Sequence, residues 1–274
     1  MSAYYNEHDP YAAAWLRNLI SAELIAFGDV DERSIEDVKP SEIMGYTQCH
    51  FFAGIGIWSL ALRSAGWSDS REIWTGSCPC QPFSAAGKGA GFADERHLWP
   101  AFFHLIEQCR PPVVMGEQVA SQDGLAWLDL VRSDLEGAGY AAGASDTCAA
   151  GYGAPHIRQR TYWVADAEFS DIWGKPRTRN ATTSTVQGTP QQRQWSGNDD
   201  SPCGSVGRPS PTNGYWRDAD WLGCRDGKWR PVEPGTFPLA HGAASRVGRL
   251  RAYGNAIVAP QATEIIRAFM ECRP

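Results

Sequence analysis

Thr47 to Ala65 reads TQCHFFAGIGIWSLALRSA. Thr47 to Phe52 has the length and character of a strand, Ala53-Gly54-Ile55-Gly56 is a loop, and Ile57 to Ala65 is a helix that ends at Gly66. A strand, a glycine loop and a helix in that order form the repeating unit of an α/β fold. Gly54 and Gly56 let the backbone approach a ligand closely at the start of a helix. One G-x-G is weak evidence for a nucleotide site by itself. From Trp67 only a short turn precedes the next strand-like run, Glu72 to Thr75. A single right-handed crossover through Ile57–Ala65 can join the two strands directly.

The second strand opens into Gly76-Ser77-Cys78-Pro79-Cys80-Gln81-Pro82-Phe83-Ser84 and then a loop rich in Gly and Ala, up to Arg96. A strand end followed by a loop is where an α/β protein places its chemistry. Cys80 stands there as a candidate nucleophile, because a thiolate attacks without a strong base. Two plainer readings compete. A cysteine taken at random is more often a small buried hydrophobe. Cys78 and Cys80 could ligate a metal, but their spacing is short for zinc and no second ligand pair is evident.

Five segments shift that balance. The run PCQPFS around Cys80 resembles the catalytic motif of the DNA (cytosine-5) methyltransferases. Gly116-Glu117-Gln118-Val119 resembles that family's Glu-Asn-Val motif, and His156-Ile157-Arg158-Gln159-Arg160 its Gln-x-Arg-x-Arg motif. Phe52-Ala53-Gly54-Ile55-Gly56 is similar to its cofactor loop, and Gly254-Asn255-Ala256-Ile257-Val258 to its last motif. The resemblance implies a Rossmann-like, S-adenosylmethionine-dependent methyltransferase sheet with a small target-recognition subdomain. It implies methyl transfer to C5 of cytosine in double-stranded DNA, with catalytic Cys80, Glu117, Arg158 and Arg160; a cytosine-5 methyltransferase of RNA and a catalytically silent DNA-binding relative are the alternatives. Phe52, Ala53, Gly54, Gly56, Pro79, Leu98, Asn255 and Ala256 would line the S-adenosylmethionine site. Gln118 and His156 depart from the family pattern at supporting positions, and His50 and Ile57 at the cofactor loop.

The order of the chain also departs from the family. Ala3 to Asn6 reads as a strand, and Asp9-Pro10 starts a helix over Tyr11 to Ile20. A second strand near Ala26 to Val30 ends at Gly28-Asp29-Val30. Glu7-His8-Asp9-Pro10 and Gly28-Asp29-Val30 resemble the family's second and third motifs, which imply Glu7 on the ribose and Asp29 at the adenine. Taken alone, both are more often solvated carboxylates. These motifs normally follow the cofactor loop and here precede it. A sheet with a shuffled strand order, carrying an intact site, is therefore expected.

Downstream, Pro100 starts a helix to Cys109, and Pro112 to Met115 forms a strand delivering Glu117. Asp123 to Gly137 is a helix with Leu125, Leu128, Val131 and Leu135 inward. Gly139 to Ala150 begins a strand pair that closes with Thr161 to Ala165. Asp166 to Thr212 is polar, as a target-reading segment or a disordered one would be. Trp216 to Pro231 carries a hairpin signal at Asp226-Gly227, and Pro260 starts a last helix that should pack beside the cofactor loop. This divides the chain into a catalytic domain at 1–165, a target-recognition region at 166–244 and a returning segment at 245–274. Gln81, Ser84, Arg177, Arg179, Arg225, Lys228 and Arg230 are the candidate DNA contacts.

The net charge of −6 conceals an uneven distribution. Met1 to Ala150 carries 9 Lys/Arg against 20 Asp/Glu, and Gly151 to Pro274 carries 16 against 11. The basic surplus thus falls where a phosphate backbone would be met. With 274 residues, 43% hydrophobic and 20% charged, the chain can bury a full core. No apolar run is long enough for a bilayer span and the start lacks a secretory pattern. A cytoplasmic monomer with free thiols is expected.

Overall fold

The computed structural model describes residues 2–79, 98–154, 157–168, 214–223, 229–232 and 256–273. The main strands are β1 (Ala3–Asn6), β2 (Gly28–Asp31), β3 (Gln48–Phe51), β4 (Ile73–Gly76), β5 (Val113–Val119), β6 (Ala141–Cys148) and β7 (Gln159–Asp166). They form one seven-stranded sheet in the order β2-β1-β3-β4-β5-β7-β6. The first five run parallel, while β7 is antiparallel to both β5 and β6. Helix α1 (Pro10–Ser21) leads from β1 to β2, and α3 (Ile57–Ala65) joins β3 to its neighbour β4. The direct crossover is as expected, and so is the N-terminal unit added beside β3.

Parallel strands covered on both faces are buried along their length, and every residue of β1, β3 and β4 is, the polar Asn6, Gln48, His50 and Thr75 included. Successive side chains leave a strand on opposite faces, so Tyr4 and Tyr5 enter different cores. Tyr5 joins Trp15 and Leu16 of α1, Ala61 and Leu62 of α3, and Ile266 of the last helix, α6 (Ala259–Glu271). Tyr4 joins Phe102 and Leu105 of α4 (Trp99–Cys109) and Val131 of α5 (Gln122–Gly137). A short helix, α2 (Pro40–Ile43), borders this second layer through Ile43.

Local signals set the helix ends. Asp9 caps α1 by accepting from the Tyr11 and Ala12 amides at 2.9 and 3.1 Å. Gly66 ends α3 at φ +89°. In α5 one expectation fails: Leu125 is 51% exposed. The buried set is Gly124, Trp127, Leu128, Val131 and Leu135. That helical stripe leaves Leu125 about 100° from Gly124 around the axis. Trp127 fills the inward place and meets Trp99 edge-on, centroids 5.7 Å apart.

Strands β8 (Asp220–Gly223) and β9 (Trp229–Val232) pair antiparallel, as the hairpin reading requires. The Asp226-Gly227 turn lies outside the described residues. Trp216 precedes the pair and is buried in a cluster with Ala149, Ala154, Ala219 and Val258. This ring therefore packs where Val258, just before α6, meets the turn after β6.

Candidate active site

The parallel register aligns Asn6, Phe51, Gly76 and Gly116 in one row near the C-terminal edge of the sheet. Beyond β3 the chain turns sharply, with φ of +52° at Phe52, +55° at Gly54 and +81° at Gly56. Phe52 bears a conformation that favours glycine, and its ring meets Phe102 edge-on at 6.1 Å. The Ala53 amide donates to Asn6 O at 3.0 Å.

Glu7 follows β1 and faces this loop. Its Oε2 accepts from the Gly54 amide at 2.7 Å and its Oε1 from the Asp9 amide at 2.9 Å. An ionised carboxylate offers roughly four acceptor positions, so two amides leave capacity for hydroxyl donors. Burial raises the Glu7 pKa, against the two amides, which lower it. The structure thus brings Glu7, Phe52, Ala53, Gly54 and Gly56 together, although Glu7 precedes the loop by some 45 residues of sequence.

Asp29 is placed differently from the expectation that it ends its strand. β2 continues to Asp31, and Asp29 pairs with Tyr4, two residues short of the row through Asn6. Its carboxylate accepts from Tyr46 Oη at 2.8 Å. Asp31 stands level with Asn6 and is held by Tyr4 Oη at 2.8 Å and by Arg33 Nη2 at 2.7 Å. Burial raises the Asp31 pKa, but the Arg33 side chain and amide and the Tyr4 hydroxyl together lower it more. Sequence alone did not single out Asp31 and Arg33, since a two-residue difference in strand length is within the spread of boundary signals.

On the other side of the edge, β4 leads through Ser77, which accepts from Trp58 Nε1 at 3.0 Å, to the buried Cys78. Burial pushes the Cys78 thiol far up, so it is a packed, protonated side chain. Pro79 is exposed. Cys80, Gln81 and Ser84 lie outside the described residues, as do His156, Arg177, Arg179, Arg225, Lys228 and Asn255; of Arg230 only the backbone is described.

Glu117 lies within β5, one residue past Gly116, and is buried. Its Oε1 is 2.6 Å from Arg160 Nε, an ion pair rather than an aligned hydrogen bond. Desolvation raises the Glu117 pKa most, and Arg160 and Arg158 pull it back. Arg158 reaches elsewhere, donating from Nη2 to Ala256 O at 2.8 Å. Gln261, fully buried in the first turn of α6, donates to Thr147 Oγ1 at 2.6 Å. A glutamine on the apolar face of PQATEIIRAFM was the available signal for that contact. Leu98 is half-buried at the start of α4 and packs with the Phe51–Phe102 layer, while Trp99 is a core residue bonded to Asp134 Oδ2 at 2.7 Å. Gln118 is buried, with Oε1 accepting from the Val119 amide at 2.9 Å. Ile157, beside Arg158, is the most exposed large apolar residue among those described.

A glycine loop and a carboxylate just past a strand end share one sheet edge with a buried acid–arginine pair. Residues 68–188 match the family model of C-5 cytosine-specific DNA methylases. The match begins at Ser68, just after α3, and includes β4, Glu117, Arg158 and Arg160. No curated protein matches the chain. Similar solved structures include a DNA modification methyltransferase encoded within an E. coli prophage, at 16% identity and TM-score 0.38, covering 62% of this chain and 48% of that one. Another is a variant of Spodoptera frugiperda DNMT2, at 14% identity and TM-score 0.37, covering 66% and 54%. A third is S. pombe Dnmt2, at 12% identity and TM-score 0.37, covering 66% and 58%. The chain thus spans about half the length of these structures, and likenesses of this order carry no argument about activity. Among the described residues no helix is long and apolar enough to cross a membrane.

Proposed function

We propose that the protein transfers a methyl group from S-adenosylmethionine to C5 of cytosine in double-stranded DNA, with Cys80 as nucleophile. The observation that carries this reading is the buried Glu117 beside Arg160, one strand from the segment that leads to Cys80. The family match of residues 68–188 and the basic surplus after Gly151 support DNA as the acceptor.

Phe52 to Gly56 and Glu7 fit the cofactor. The left-handed turns expose backbone at the loop, and Glu7 keeps acceptor capacity for ribose hydroxyls. Asp29, Pro79, Leu98, Asn255 and Ala256 complete the proposed lining. Bound there, S-adenosylmethionine supplies an electrophilic methyl group for C5.

The remaining chemistry belongs to the chain. The Cys80 thiolate adds to C6 and makes a covalent bond, which renders C5 enamine-like. Glu117 stabilises the charge that develops at N3. Desolvation favours its protonated form, which can donate a hydrogen bond there. Arg160 holds the carboxyl in place. Loss of the C5 proton and expulsion of Cys80 then restore the aromatic ring. The target base must leave the helix for any of this to occur. Gln81, Ser84, Arg177, Arg179, Arg225, Lys228 and Arg230 are proposed to contact DNA.

Incubation with methyl-labelled S-adenosylmethionine and unmethylated double-stranded DNA, then digestion to nucleosides, tests the reading. Label in 5-methylcytosine is expected, falling by at least about a thousandfold in Cys80→Ala. Full activity in Cys80→Ala would sink the covalent route, and label in RNA alone would reassign the acceptor.

A further inference from the structure

We infer that Arg158 is a positioning residue, not a contact to the target base: it braces the segment leading into α6 against the catalytic strand pair. The inference rests on the proposed role of Glu117 and deepens it.

Two arginines, one residue apart, do different things. Arg160 turns its Nε to Glu117 at 2.6 Å. Arg158 donates to the Ala256 carbonyl, 98 residues away in sequence, at 2.8 Å. A guanidinium on a carbonyl is a charge-assisted bond, stronger than a neutral one. The Arg158 backbone is fixed as well, because its own carbonyl accepts from the Ala149 amide at 2.9 Å.

A second tie lies close by. Gln261 bonds Thr147, and Thr147 pairs with Arg160 across β6 and β7. The start of α6 is therefore held to the catalytic strands at both Ala256 and Gln261. On its other side α6 packs against α3, the helix that follows the glycine loop, and Ile257, Ala259 and Ala262 belong to the same core as Ala53, Ile55 and Ile57. Arg158 thus stands where the cofactor loop and the catalytic acid are mechanically joined. Arg160 and Arg158 both favour the ionised form of Glu117, against the burial that disfavours it.

The test compares Arg158→Met and Arg158→Lys with the unaltered protein, reading kcat, KM for DNA and the pH dependence of kcat. In Arg158→Met, kcat is expected to fall about thirtyfold while KM for DNA stays within about threefold. The alkaline limb should move to higher pH, because Glu117 loses a cation that favours ionisation. Arg158→Lys keeps the charge and should return the limb without restoring kcat in full, since an ammonium cannot reproduce the guanidinium geometry. A KM for DNA raised about tenfold at unchanged kcat would overturn the inference in favour of a direct DNA contact. An unmoved alkaline limb in Arg158→Met would overturn it too. Titration of the Glu117 carboxyl by NMR, in the free Arg158→Met protein, reads the same shift without turnover. It therefore separates failure here from failure of the methyl-transfer reading.

Discussion

The His50 ring lies inside the sheet, its Nδ1 2.8 Å from Thr75 Oγ1 and its face stacked on Tyr5 at 4.9 Å. The ring is only 1% exposed. Complete desolvation lowers its pKa to about 3. The sign of the linkage follows from that direction. A base whose folded pKa is depressed contributes stability that is present above its unfolded pKa, near 6.5. That stability is lost as pH falls from there toward about 3. Between pH 7 and pH 5 the His50 contribution should fall by about 2 kcal/mol. His50→Asn keeps a donor near Thr75 without a titrating group, so its stability should fall less over the same interval. Urea unfolding of both proteins at the two pH values measures this; equal losses would mean that His50 is protonated while folded. The identity of His50 was legible in the sequence as a departure from pattern, but its stacking on Tyr5 was not. Glu117 and Arg160 were likewise legible as residue types, because their chemistry is written in short motifs. The Arg158–Ala256 bond was not, since nothing local records a partner 98 residues away.

Two strand glycines make the sheet close enough at its edge to carry a site. A Cβ at Gly116 would lie 2.2 Å from Trp163 Cζ2 and 2.5 Å from Gly76 O. A side chain can rotate away, but the Gly76 carbonyl is backbone of β4, the strand that leads to Cys80. Gly116→Ala must therefore push β4 and β5 apart, at a cost of about 1–3 kcal/mol. Because the displaced carbonyl faces Gly116, the residue before Glu117 in β5, methyl transfer should fall further than the stability loss alone implies. Gly143→Ala in β6 is the control: nothing lies within 4 Å of its added Cβ, and stability should change by less than about 1 kcal/mol. Denaturant midpoints and activity of the two variants check this, and equal behaviour would rule out the close approach as the reason for Gly116. Glycine within a strand marks such an approach in general, but the sequence does not say which neighbour comes close. Element type and order were legible for a related reason: glycines, prolines and apolar runs bound most elements within one or two residues. The exposed Leu125 and the run of β5 past Met115 to Val119 fall outside that reach, because each depends on which face a neighbouring element covers.

At the scale of the molecule, the chain order differs from that of the family while the sheet edge is assembled. Glu7 meets Gly54 and Asn6 stands level with Phe51, although β1 precedes β3 in sequence. If spatial order alone matters, the family's chain order should be restorable. A permuted chain would begin at Thr47, run to Gly66, continue through Ser2 to Tyr46 and resume at Trp67. The strand starts suit this: the Thr47 amide donates to Ser2 O at 3.1 Å and the Ile73 amide to Thr47 O at 3.2 Å. The α3 helix leaves its C-terminus at that same end of the sheet, so both new connections stay at one end. Flexible linkers of about six residues span roughly 13 Å, and closing loops of that length changes stability by about 1 kcal/mol. The permuted protein should keep a melting temperature within about 8 °C and bind S-adenosylmethionine within about threefold of the unpermuted chain. The Gly54 amide, held by Glu7, should keep its protection from hydrogen exchange. A permuted chain that folds but loses that protection would show that the Glu7–Gly54 bond depends on chain order. One that fails to fold would show that the N-terminal unit must form before β3 joins it.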